Sequence, residues 1–184
     1  MNMPMPETEL KLSEEGVRYA QKVLDEMQKE SDRSTAILLG AELDDTLGQI
    51  LVKHLLPPRA KKYPGAFARI FSARIELAYR LGLLHPLLHH ELHIIKDIRN
   101  EFAHKTIGIT FESSEVVVHT SKLVMAKAYD QLIIAMSKAR PELVSLRNQN
   151  SRERFVISGA FLLHRLSAVR EQVKQVTIST GWLR

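Results

Sequence analysis

The sequence predicts an all-α, single-domain helical bundle of about six helices, on three observations. Apolar residues recur at three- and four-residue spacing in six separate segments, proline and glycine punctuate the gaps between them, and no strand-like runs alternate with helices as a βαβ unit would require.

The first helix is predicted over residues 13–29, with Val17, Ala20, Val23, Leu24 and Met27 on one side and Ser13 ahead of Glu14 and Glu15 as its start. Residues 31–34 break the pattern, and a second helix over 35–56 is stopped by Pro57 and Pro58. Its apolar face is Leu39, Leu43, Leu47, Ile50 and Leu51, with Glu42, Asp44 and Asp45 beside it. Residues 57–65 suit an exposed connection. A third helix over 66–81, ended by Gly82, carries Ile70, Phe71, Ile75, Ala78 and Leu81 as a stripe with Arg74 at its centre. A buried ion costs several kcal/mol unless it is paired. Glu42 is the expected partner of Arg74, with Asp45 second.

His85 and Pro86 open a fourth helix, because proline is well tolerated at the first helical position; it runs to about residue 105 and buries Ile94, Ile95, Ile98 and Phe102. Residues 107–111 alternate and allow a short extended piece, 113–115 read as either a turn or a helix start, and Val116, Val117 and Val118 favour strand locally against the helical spacing that follows, so the sequence leaves 107–120 open between an extended segment and a helix. A fifth helix follows from about 121 to Pro141, and a last one over 152–176 with Phe155, Ile157, Phe161, Leu162, Leu166, Val169 and Val173 inward. Residues 1–12 are expected to form a disordered tail, 13–176 the domain, and 177–184, which contain Trp182, a C-terminal tail.

With 45% hydrophobic and 26% charged residues the chain reads as soluble and globular with one core. It has no cysteine, which excludes a disulfide framework and a thiolate metal site and makes a reducing cytoplasm the expected compartment. The first residues lack the basic and apolar regions of a signal peptide, and no apolar run approaches the roughly 20 residues that span a bilayer, so no membrane role is expected. The net charge of +5 permits RNA or DNA as a partner through residues 138–154 with Arg165, Arg170 and Lys174, although solvated helix faces give the same count and are the preferred reading.

Three groups carry candidate chemistry. Arg99, Asn100 and His104 lie at the end of the fourth helix. On an ideal helix Arg99 and His104 point about 140° apart, so they converge only at a helix end, through a curled arginine, or across a two-fold axis. The trio suits attack of an RNA 2′-hydroxyl on its own phosphodiester, with His104 as general acid or base, Arg99 clamping phosphoryl oxygens and Asn100 positioning. The preferred reading is structural: Arg99 paired with an internal carboxylate and His104 capping the helix. His85, His89, His90 and His93 form the second group, and His89 with His93 could share a metal completed by Asp97 or His104. Ligands from a second element are missing, so no metal is assigned. Glu42 with Arg74, or Asp45 with Arg74, is the third, read as a structural ion pair. No phosphate-cradling glycine loop, nucleophile elbow or dinucleotide fingerprint is present, so no cofactor is implied, and the short turn of a helix-turn-helix is missing.

The run Leu39-Gly40-Ala41-Glu42-Leu43 through His54, then Ser72-x-Arg74-x-x-Leu77-Ala78-Tyr79-x-Leu81-Gly82-Leu83, then Ile98 through His104, resembles the mannitol operon repressor family over roughly residues 30–175. The resemblance implies a cytosolic helical transcriptional regulator that works through protein partners without a helix-turn-helix. Arg99, Asn100 and His104 are separately similar to the R-x4-6-H motif of the HEPN superfamily. That likeness implies a HEPN-like bundle, commonly a homodimer. It leaves two alternatives, a metal-independent RNase in which Arg99 and His104 are catalytic and Asn100 auxiliary, or a non-catalytic dimerisation module.

Overall fold

Gly159 allows the chain's last helix to lie against its second: a Cβ there would sit 2.3 Å from Leu39 Cδ2. The structure, a computed structural model, describes residues 14–57, 70–105, 107–137 and 150–177. Among these are seven helices and no strand: α1 (Glu14–Met27), α2 (Asp32–His54), α3 (Phe71–Arg80), α4 (Pro86–His104), α5 (Ser114–Thr120), α6 (Val124–Ser137) and α7 (Ser151–Gln172). The expected N-terminal tail, the C-terminal tail beyond residue 177, the start of the third helix, the 57–65 connection beyond Pro57 and most of the basic run from 138 lie outside the described residues.

α7 is the axis of the bundle. Every residue from Phe155 to Leu163 is buried, more than a single stripe, because α1, α2, α4, α5 and α6 all pack on it. The expected inward faces of α2 and α4 are the observed ones, with Leu43, Leu47, Ile50, Ile95, Ile98 and Phe102 fully buried. Phe102, Phe111 and Phe155 stack in series, with ring centroids 4.9 and 5.2 Å apart, and fasten the α4–α5 connection to α7.

Helix ends explain where the boundaries differ from expectation. Ser31 accepts from the Ser34 N–H at 3.1 Å and starts α2 at Asp32, so residues 31–34 begin the helix and do not break it. Asn150 and Glu153 form a reciprocal capping box that starts α7. His85 caps α4 ahead of Pro86, as expected of that pair. Gly82, with φ +71°, ends α3 as the Gly stop predicted: the Leu83 N–H returns to Ala78 O and the Gly82 N–H to Tyr79 O.

Of the two alternatives open to residues 107–120, the structure takes the turn and helix and not a strand. Gly108 turns the chain at φ +79°, and the Phe111 N–H donates to the Asp32 carboxylate at 3.0 Å, where a strand would need a ladder partner. Val116 to Val118 lie inside α5, with Val116 buried against the core, so packing overrides local strand preference. α7 also ends sooner than expected. Residues 173–177 leave it and run beside the end of α2, where the Val176 N–H donates to His54 O at 2.8 Å. No described helix is long and apolar enough to cross a membrane.

Candidate functional site

α2 carries glycines at positions 40 and 48, two turns apart on one side, and each receives an arginine. A Cβ on Gly40 would meet Arg99 Cγ at 2.7 Å, and one on Gly48 would meet the Arg74 guanidinium at 3.2 Å. The three stretches that carry the family resemblance therefore converge: the Gly40 region, the Arg74 helix and the Arg99 helix share one contact zone on α2.

At the α4 end, Ile98 and Phe102 are buried and Arg99 lies at the border of that face, half-buried. Its stem rests on Gly40 and its Nη1 donates to Asn100 Oδ1 at 3.1 Å. Arg99 and Asn100 are thus brought together. His104, the last residue of the helix, is exposed, and no hydrogen bond among the described residues joins it to either. The capping role expected of His104 belongs to Arg33, whose guanidinium donates to the carbonyls of Phe102 and Lys105. Beside it Lys105 reaches Glu101 at 3.4 Å and pairs closely with Glu115. The Lys105 ammonium holds the Glu115 carboxyl down to about 2, and Glu115 in turn raises Lys105.

The same end of the bundle contains an arginine knot that helical periodicity does not reveal. Arg152, in the first turn of α7, pairs with Asp32 and donates to Met27 O at 2.7 Å, Glu30 O at 2.5 Å and Thr35 Oγ1 at 2.9 Å. A cation in the first turn of a helix opposes the macrodipole. That misplacement was a readable signal of a fixed partner.

The carboxylate that meets Arg74 is Asp44, at 2.8 Å, with a second bond from Arg74 to Asp44 O at 3.0 Å. This corrects the expected pairing: Glu42 points out to solvent, and Asp45 accepts from Gln49 at 2.7 Å. Asp44 sits beside the apolar face of α2 with Glu42 and Asp45, so the sequence alone does not single it out. What selects it is the Gly48 gap, which lets the guanidinium lie along α2 beside Asp44.

Glu91 is buried with no exposure on α4, and it caps another helix: its carboxylate accepts from the Val124 N–H at 2.7 Å and the Met125 N–H at 3.4 Å, the start of α6. Burial pushes its carboxyl up to about 7 against the pull of those two N–H groups. The signal was present, since stepping back from Phe102 through Ile98 and Ile95 by four, three and four residues lands on Glu91.

The histidines separate. His85 is the α4 cap and His90 is exposed, whereas His89 and His93 both turn to Glu76 on α3, at 2.8 and 3.0 Å. Asp97, expected to join them, pairs with Lys96 at 2.7 Å. The second element missing from the sequence pattern is therefore α3.

No family model matches the sequence, and no curated protein matches it. In structure the chain is similar to a chain in the X-ray structure of the MtlR-HPr complex from Escherichia coli, at a TM-score of 0.50 and 16% identity over 82% of this chain and 99% of that one. That likeness shows the fold.

Proposed function

We propose that the chain is an MtlR-like transcriptional regulator of the cytoplasm that acts by binding a protein partner and not by reading DNA through a helix-turn-helix. The observation that carries the proposal is the fold likeness across nearly the whole of a chain solved with the protein HPr. The order of the Gly40, Arg74 and Arg99 stretches, and their meeting on α2, supports it. The partner surface is assigned to the α4 end, where Arg99 is half-buried on Gly40 with Asn100 as its hydrogen-bond acceptor and His104 is exposed. A homodimer presenting two such ends fits the same reading.

Titration calorimetry with a purified HPr protein, alongside light scattering for the oligomeric state, tests it. A saturable complex that Arg99→Ala weakens is the expected result. Absence of any complex, together with cleavage of single-stranded RNA in EDTA that both Arg99→Ala and His104→Ala abolish, would overturn the regulator reading in favour of a metal-independent RNase. A gel shift with RNA and DNA at low salt separates both from a nucleic-acid binder.

A further inference from the structure

Glu76 on α3 and His89 and His93 on α4 aim their ligating atoms at one point. Both imidazole Nε2 atoms lie on the same carboxylate oxygen, Glu76 Oε1, at 2.8 and 3.0 Å, and the three ligand atoms all fall within 4.8 Å of one another. We infer that these residues form a binding site for a divalent transition-metal ion of the zinc class, bridging α3 to α4.

The geometry is close to what such an ion needs. With metal–ligand bonds of about 2.0–2.1 Å, neighbouring ligands of a tetrahedral ion sit about 3.4 Å apart. The observed contacts reach that spacing when Glu76 and the imidazoles part by roughly half an ångström. His89 and His93 are four residues apart, the spacing at which two histidines on one helix share a zinc ion. Glu76 comes from a different helix, so the ion would tie two elements together.

The rings are also ordered in advance. His89 packs on Tyr79 with centroids 4.3 Å apart and His93 meets His89 edge-on at 4.6 Å, while the two histidine side chains are only 24% and 28% exposed. Ligands already in place spend little rotamer entropy on binding. Two imidazoles with one carboxylate favour zinc, copper, nickel or cobalt over magnesium or calcium, which prefer all-oxygen shells. Three protein ligands leave a fourth position to water or to a group from a bound partner.

Tag-free full-length protein should bind Zn(II) at one equivalent per chain in a competition titration against a chromophoric chelator, and Co(II) should give the visible absorption of a tetrahedral site. His93→Ala and Glu76→Ala should each weaken binding at least about tenfold. His90→Ala, on the same helix outside the cluster, should leave it unchanged, as should excess Mg(II). Far-UV circular dichroism checks each variant, and Glu76→Gln carries the test if an alanine variant loses helix. No saturable one-equivalent binding, or binding that survives both Glu76→Gln and His93→Ala, overturns the site.

Discussion

Arg152 and Arg99 are both partly buried arginines in this helical bundle, yet their surroundings differ in kind. Arg152 is consumed by the fold: one carboxylate, two backbone carbonyls and a hydroxyl from α1, α2 and the turn between them surround its head. Arg99 is positioned but not consumed. Gly40 fixes its stem, and the hydrogen bond of its head runs to Asn100, the next residue of its own helix. A guanidinium has five N–H donors, so the first arrangement describes a structural tie and the second a group left available to a ligand or partner.

The largest effect should come from breaking the tie. Arg152→Met leaves the half-buried Asp32 carboxylate and the Met27 and Glu30 carbonyls without their cation, and should cost about 3 kcal/mol in urea denaturation. Arg99→Met, which strands no carboxylate, should cost under about 1 kcal/mol. Equal losses for the two variants would erase the contrast.

Glu91 asks whether a buried carboxyl held by backbone N–H groups behaves as Arg152 does. Its carboxyl is raised from the ordinary 4.5 to about 7 in the fold, so the folded chain holds that proton more tightly than the unfolded one. Its contribution is therefore full below about pH 4.5 and is lost as pH rises through about 7. The loss amounts to about 3 kcal/mol at most for a shift of that size. Stability measured against pH should fall through this window in the wild type relative to Glu91→Gln, and parallel profiles would refute the shift.

The helical class, the inward faces of α2 and α4 and the glycine stop after α3 were legible because each depends on a local pattern of spacing or backbone freedom. The α5 helix was not, since Val116 to Val118 favour strand in isolation and only burial of Val116 against the core decides otherwise. The partner of Arg99 was not legible either: in place of the expected internal carboxylate, the Asn100 amide oxygen of the next residue accepts its hydrogen bond. Partners across helices were harder: Asp44 wins Arg74 because of a gap at Gly48, and Glu76 finds two histidines because α3 packs on α4. Such choices turn on where backbones approach, which the order of residues along one helix does not encode.

Gly40 controls where the Arg99 side chain sits. A methyl group there must displace Arg99 Cγ, which lies 2.7 Å from the added carbon, while alanine's better helix propensity returns up to about 1 kcal/mol. Overpacking and propensity then nearly offset, and Gly40→Ala should change stability by about 1 kcal/mol or less. Partner binding should fall nonetheless, because the guanidinium moves. Unaltered binding would mean that the position of Arg99 does not matter to function.

The smallest effect is expected at Lys105, which has two carboxylate neighbours, Glu101 and Glu115, and so more acidic partners than Arg152 has. All three groups reach solvent, with side chains 33–46% exposed, and water and salt screen them. Lys105→Ala should shift the thermal midpoint by no more than the scatter between repeats, and any shift should vanish in high salt. Glu115 would then lose the neighbour that holds its carboxyl near 2, a change visible by NMR titration without a matching change in stability. If Lys105→Ala destabilised the chain as much as Arg152→Met, the number of charged partners and not their removal from water would be what separates a structural arginine from an available one.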